Sequence, residues 1–308
     1  MGLAKNKMLR KIFFTVNGKI STVSPLLSSH LAYFFARKKI LHLNPPQDLN
    51  EKFMWLKLNI YNYHPVVCQC ADKLAMRTYV EKKGCPEILS KIHKVWKSVD
   101  EIDFSSLPEK FVLKCNHGSG FNLICRDRDS LDIEKTRVLL RQWMKTDYWR
   151  RSAELNYKNV PRRIFCEEYM ETKSGSLPDY KVMCYYGEPQ YILYCDGRDS
   201  QVQKLSFTVD WQLTPYNKIK TERKIEKPES LDKMLYYARV LSKDFPAVRM
   251  DFYDCDGVPV LGEMTFTPAG CVGMTLSEDG LKYYGNCLDL SHETVIKMQN
   301  EVKMIRNR

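Results

Sequence analysis

Hydrophobic positions change their spacing several times along the chain, and each change marks an element. After the break Asn44-Pro45-Pro46, residues 45–70 set Leu49, Phe53, Trp55, Leu56 and Leu58 among Glu51, Lys52 and Lys57, the pattern of a helix facing a core. A second helix is predicted from about Asp72, carrying Leu74, Met76, Tyr79 and Val80 until Gly84-Cys85-Pro86 ends it. From Leu107 the texture is that of strands. Phe111–Lys114, a polar turn at residues 116–120 and Leu123-Ile124-Cys125 read as a hairpin. Residues 131–150 return to helical spacing, with Leu131, Val138, Leu139, Trp143 and Trp149. Ile164–Tyr169 then reads as a buried strand, and Lys181–Tyr186 with Tyr191–Tyr194 as a hairpin about Gly187-Glu188-Pro189. A helix is predicted over 229–244. Val248–Tyr253 and Val258–Met264 pair across Asp254-Cys255-Asp256-Gly257, whose Asp-Gly is a strong turn signal. This order predicts an α+β protein built from antiparallel hairpins, not an alternating parallel sheet.

Composition narrows the class. The 308 residues are 44% hydrophobic, 12% aromatic and 28% charged, the balance of a globular protein, which removes disordered, collagenous and coiled-coil readings. No stretch approaches the roughly 20 apolar residues of a membrane-spanning helix, and the apolar run after Arg10 and Lys11 is too short for a secretory signal, so the chain reads as cytoplasmic. Eleven cysteines are odd in number, scattered and mostly inside apolar runs, where a free thiol behaves as a small hydrophobe.

The net charge of +11 is concentrated at one end. Residues 1–50 hold eight Lys or Arg against the single acid Asp48. Phe13, Phe14, Leu31 and Phe34 are interleaved with these cations, so the arm suits an anionic membrane surface, an acidic partner, or a plain solvated face. Nucleic acid is disfavoured because no helix-turn-helix, RNP-type or zinc-finger pattern accompanies the charge.

Two constellations carry chemistry. Lys114 at a strand end, followed by Asn116-His117-Gly118-Ser119-Gly120, can hold phosphate with a cation and backbone N–H groups, although a plain hairpin turn fits as well. His117 could touch phosphate or acceptor, or be an exposed loop histidine; Cys115 is read as packing. Arg249 and Asp251 share one strand face, as do Glu263 and Thr265, and the Asp-Gly turn can set Asp251 opposite Glu263. Paired carboxylates of that kind suit Mg²⁺ together with phosphate oxygens; a surface ladder in which Arg249 pairs with an acid is the alternative. Residues 195–225, with Arg198, Lys204, Lys218, Lys220, Arg223 and Lys224, read as an exposed variable hairpin rather than an anionic acceptor site.

Phe111–Lys114 with its Gly-Ser-Gly loop, Cys166-Glu167-Glu168-Tyr169-Met170, Asp179-Tyr180-Lys181 and Arg249-x-Asp251…Glu263-x-Thr265-x-x-Pro268 resemble, in order and spacing, the core of ATP-grasp ligases. With Asn50-Glu51-Lys52, Trp55-Leu56-Lys57 and Asp72-Lys73, the chain is identified as resembling the TupA-like ATP-grasp family of polysaccharide and teichuronopeptide biosynthesis, over about Pro45 to Leu290. The resemblance implies an α+β ATP-grasp fold with two subdomains clasping ATP. Expected divisions are a basic helical arm (1–45), a helical subdomain (46–107), a lid with a phosphate flap (108–168) and a C-terminal subdomain with the metal site (169–300). Lys114 would bind phosphates under the flap Asn116, His117, Gly118, Ser119 and Gly120. Glu167, Glu168 and the backbone of Tyr169 and Met170 would form the adenine edge, with Asp179 toward ribose and Lys181 on the γ-phosphate. Asp251 and Glu263 would hold Mg²⁺, and Arg249 would steady the transferring phosphoryl group. Thr265 stands where the family more often has Asn, a weaker metal donor.

The implied activity is ATP-dependent carboxylate–amine ligation through an acyl phosphate, joining an amino acid or other amine to a uronic-acid-type carboxylate on a sugar or glycan. A kinase on the same core, a metal-dependent glycosyltransferase and a membrane-peripheral scaffold that binds nucleotide without turnover are the alternatives.

Overall fold

The computed structural model describes residues 7–196, 203–219, 221, 223–273 and 275–307. Two helices come first, α1 (Lys7–Val23) and α2 (Pro25–Arg37). Ser24 between them caps α2 by accepting from the Leu27 N–H at 3.2 Å, and Pro25 occupies the first turn, where its missing N–H does no harm. The helix expected over 45–70 is split into α3 (Leu49–Leu56), a π-helical stretch Lys57–Tyr61 and α4 (Pro65–Ala71). Proline can begin a helix but not continue one, which accounts for the restart at Pro65. Next come α5 (Ala75–Lys82), β1 (Ile92–Trp96), β2 (Phe111–Cys115), β3 (Asn122–Cys125), α6 (Ile133–Lys145) and β4 (Ile164–Glu168). The helix expected to reach residue 150 stops at Lys145, and Tyr148–Arg151 forms a separate 3-10 turn.

Strands β1-β4-β2-β3, in that spatial order, make an antiparallel first sheet. It starts at Ile92, ahead of the division expected at 107/108, because β1 pairs with β4 and sets Trp96 opposite Ile164. Phe111, Leu113, Cys115, Ile164 and Cys166 point to one side, where Leu140 of α6, Trp96 and Phe104 close a small core.

The second sheet runs β7-β6-β5-β8-β9 and is also antiparallel, from β5 (Asp179–Tyr185), β6 (Glu188–Asp196), β7 (Gln203–Phe207), β8 (Ala247–Cys255) and β9 (Val258–Thr265). The β5–β6 turn falls at Tyr186-Gly187, with φ of 52° and 90°, so β6 already begins at Glu188. Asp256-Gly257 turns β8 into β9 with φ of 51° and 87°, and the Gly257 N–H donates to Asp254 at 2.7 Å. Two successive left-handed residues give the tight turn whose twist matches a hairpin, which is why Asp-Gly predicted it. Helix α7 (Leu231–Ser242) covers one face of this sheet, burying Val182, Met250 and Phe252 with Met234, Ala238 and Leu241. Helices α8 (Glu278–Cys287) and α9 (Glu293–Arg306) complete the larger core, α8 against α3. Among the described residues no helix is long and apolar enough to cross a membrane.

Candidate active site

Strand alternation puts Arg249 and Asp251 on the face of β8 opposite Met250 and Phe252. The register sets Asp251 across from both Glu263 of β9 and Lys181 of β5. A bulge follows Asp251, and Gly262 is needed there, because a Cβ would lie 2.9 Å from Tyr253 Cε2. Arg249 grips Asp251 with two parallel bonds, Nε to Oδ1 at 2.6 Å and Nη2 to Oδ2 at 2.7 Å. Lys181 Nζ lies 2.6 Å from Asp251 Oδ2 and 3.4 Å from Asp179 Oδ1. On the neighbouring strand, Glu263 is held by Lys73 at 3.1 Å and Arg249 at 3.6 Å, and accepts from the Thr265 hydroxyl at 2.9 Å. Burial alone would raise the Glu263 pKa, but Lys73, Arg249 and Lys181 outweigh it and hold the carboxyl well below the usual range. Burial would likewise lower the Lys181 pKa, yet Asp251, with Asp179 and Glu263, keeps that ammonium above its ordinary value.

The first sheet contributes a single pair. Lys114 of β2 bonds the carboxylate of Glu167 on β4, and the Ser90 hydroxyl donates to the same carboxylate. The loop after β2 is tied down from its base. Asn116 is buried, donates to Asp72 at 2.8 Å and to the Pro161 carbonyl at 3.0 Å, and accepts from the Arg163 N–H at 2.8 Å. His117 is 3% exposed and donates through Nε2 to the Trp143 carbonyl at 3.2 Å, beside the Phe121 ring. Gly118 passes so close to Tyr148 that a Cβ would sit 2.6 Å from its Cγ, and its carbonyl accepts from Lys73 at 2.7 Å. Ser119 and Gly120 are exposed at the tip and line the cleft.

Between the sheets lie two adjoining cavities that share Lys114, Asn122 and Tyr253. One, of about 430 Å³, is a slot whose apolar lining is Val112, Ile124, Tyr169, Met170 and Leu177 and whose polar lining includes Asn122, Arg126, Glu171 and Asp196. The other, of about 350 Å³, is lined by Lys73, Lys114, Lys181 and Arg249 against Asp179, Asp251 and Glu263, with Ser119 and Gly120 above. A third cavity of about 100 Å³ meets the second at Lys181 and Arg249.

Several sequence expectations change here. His117 is not an exposed loop histidine; it and Asn116 are packed under the loop and reach neither cavity. Glu167, expected at an adenine edge, has its carboxylate tied to Lys114 and Ser90. Glu168 accepts from the Lys91 N–H at 2.8 Å, outside the slot, whereas Tyr169 and Met170 line it. Asp179 lines the charged cavity beside Lys181, not the slot. The Thr265 hydroxyl bridges Glu263 and Arg249, accepting from Arg249 Nη2 at 3.2 Å, which makes it a support for both side chains. Lys204, read as part of an exposed hairpin, is exposed and also lines the third cavity; Arg198 and Lys220 lie outside the described residues.

Lys73, Asn122 and Tyr253 are cavity residues to which sequence reasoning gave no role, and Lys204 was named there only within an exposed hairpin. The Asp72-Lys73 pair was visible in the motif order; its reach to Glu263 was not. Asn50, Glu51 and Lys52, visible in the same way, are structural: Asn50 donates to the Gly273 carbonyl at 2.8 Å, Glu51 accepts from Gln47 N–H at 2.7 Å, and Lys52 caps α8 at the Leu288 carbonyl at 2.6 Å. Cys115 is buried and its thiol is pushed up to about 12, consistent with packing.

Two antiparallel α+β units, with Lys114 on one and a charged carboxylate face on the other, are the architecture of the ATP-grasp class. The model of the TupA-like ATP-grasp family matches residues 51–280, and the chain belongs to that family. Among curated proteins none matches it significantly. Similar solved structures include D-alanine–D-alanine ligase from Bacillus anthracis, at 14% identity over 78% of this chain and 69% of that one, TM-score 0.45. An L-amino acid ligase from Bacillus licheniformis is similar at 13% over 76% and 48%, TM-score 0.40. The N5-carboxyaminoimidazole synthase from Aspergillus clavatus, in complex with ADP and its ribonucleotide, is similar at 14% over 65% and 45%, TM-score 0.41. The chain thus spans less than half the length of the last two; the likeness is one of fold.

Proposed function

We propose that the chain is a carboxylate–amine ligase working through an acyl phosphate. The supporting observation is that two cavities of different character meet at one pair of cations. Lys181 and Arg249 line both the charged cavity and the third one, whose other described lining groups include Lys204, Asn50, Phe53, Tyr191 and Leu281 and no carboxylate. A carboxylate seated there has cations to meet it and an apolar wall behind it, next to the space for a terminal phosphate.

The slot takes adenine, with the backbone of Tyr169 and Met170 at its edge, and Lys114 exchanges Glu167 for the phosphates as Ser119 and Gly120 offer N–H groups above them. Four cations line the charged cavity against three carboxylates, a surplus too small for a polyphosphate. The paired hard oxygens of Asp251 and Glu263 fit Mg²⁺, which would supply the missing positive charge. An oxygen of the acceptor carboxylate attacks the γ-phosphorus, the bond to the β,γ-bridging oxygen breaks and ADP leaves. Lys181 and Arg249 offset the charge on both sides of that bond. The amine then attacks the acyl carbon, phosphate leaves, and the amine proton passes to solvent.

The family resemblance supports a uronic-acid-type carboxylate on a sugar or glycan, an amino acid or other amine as its partner, and a role in surface-polysaccharide synthesis. Eleven free thiols suit the reducing cytoplasm. Phosphorus NMR tests the reaction: free phosphate that appears only with both a uronic acid and an amino acid is expected. A new phosphoester would instead make the enzyme a kinase.

A further inference from the structure

Helices α1 and α2 form an antiparallel pair, since Ser21 meets Ser28 near the turn at 2.6 Å while Phe13 stacks on Phe35 at the far end, 4.0 Å between centroids. On α1 the amphipathicity is reversed: Asn17, Gly18 and Ser21 are buried against the protein, while α2 buries Ser28 and Ser29 together with Ala32, Tyr33 and Arg37. Ser21 Oγ lies 2.7 Å from the Arg150 carbonyl, and a Cβ on Gly18 would lie 3.6 Å from Arg150 Cβ. The face turned to solvent carries an apolar stripe among the exposed Thr15, Lys19 and Thr22. Ile12, Val16 and Val23 follow one another at spacings of four and seven on α1, and Leu27, Leu31 and Phe34 at four and three on α2. Their exposures run from 36% for Leu31 to 87% for Val23. A helix whose surroundings are water buries such a stripe and exposes the serines. Contiguous exposed apolar surface of this kind marks a binding face.

Charge identifies what covers it. Residues 1–50 carry eight cations and one acid, and exposed Lys19, Lys38, Arg150 and Arg151 stand on or beside the pair. A second copy of the chain would bring these cations against one another, whereas an anionic bilayer satisfies both the charge and the apolar stripe. At 17 and 13 residues, neither helix reaches the roughly 20 residues needed to span a bilayer, so the pair lies along the surface. We infer that the α1–α2 pair is a docking surface for an anionic membrane, with the Ile12–Phe34 stripe entering the headgroup boundary. Tyr148–Arg151 links it to the site, since α1 packs on this turn and Tyr148 packs on Gly118 of the phosphate loop.

The test is co-sedimentation of the full chain with vesicles of phosphatidylcholine alone or mixed equally with phosphatidylglycerol. Expected are binding at least tenfold tighter to the mixed vesicles and a loss of at least tenfold in Leu27→Glu/Leu31→Glu. That variant should keep the thermal stabilisation by ADP and magnesium, which shows it folded. Lys19→Glu/Lys38→Glu should lose the preference for anionic lipid. Wild type remaining in the supernatant with both vesicles would overturn the inference. So would a wild-type dimer in light scattering that becomes monomeric in Leu27→Glu/Leu31→Glu, which would assign the stripe to a second copy.

Discussion

In the first sheet one half-buried lysine, Lys114, faces one buried carboxylate, Glu167, while around the second sheet Lys73, Lys181 and Arg249 surround Asp179, Asp251 and Glu263. The two arrangements respond differently to loss of a member. An isolated pair leaves its survivor with a whole uncompensated charge in a poorly solvated place, whereas a network redistributes its remaining contacts. The first sheet should therefore show its charges in stability, and the second in turnover. A single pair is also easily exchanged, which suits the proposed release of Lys114 to phosphate. The crowded face of the second sheet holds its geometry instead, as the proposed phosphoryl transfer requires.

Asp251→Asn makes the sharpest contrast. Turnover, followed as phosphate release, should fall by about 10³-fold or more, on the scale of about 4 kcal/mol, because Arg249 and Lys181 lose the group that aligns them. The fold should survive; a loss under tenfold would break the comparison. Next in size, Lys114→Met should cost roughly 3 kcal/mol in urea unfolding, since Glu167 is left buried with the Ser90 hydroxyl and the nearby charge of Arg77 but no direct ion-pair partner. Adding Glu167→Gln should recover much of that loss, and strict additivity of the two changes would mean that the pair is not coupled. The smallest effect concerns the loop. Burial lowers the His117 pKa from 6.5, so below that pH the unfolded chain binds a proton that the folded one refuses. Stability should then decline as pH falls from about 6.5 towards the folded value, by up to about 1.4 kcal/mol per unit. His117→Gln should flatten the decline, and an unchanged slope would place the pH sensitivity elsewhere.

What was legible in the sequence was mostly local. The α+β class and the β2–β3 and β8–β9 hairpins follow from alternation and turn chemistry, and a two-residue turn propagates its register outward. The pairing of Asp251 with Glu263 could be read for that reason. The same reading took the β5–β6 turn a residue too late, because Pro189 looked like turn material and is instead part of β6.

The remainder required chain segments far apart in sequence to meet. Lys73 reaches Glu263 across 190 positions, Lys204 enters a cavity with Phe53, and His117 disappears under Trp143. None of these has a local periodicity, since each depends on how helices and sheets pack. The N-terminal helices show the same division within a few turns. Sequence alone determined that they mix apolar residues with cations. Which face turned inward was decided by tertiary packing, because Gly18 and Ser21 allow the close approach to Arg150 that larger apolar side chains would block.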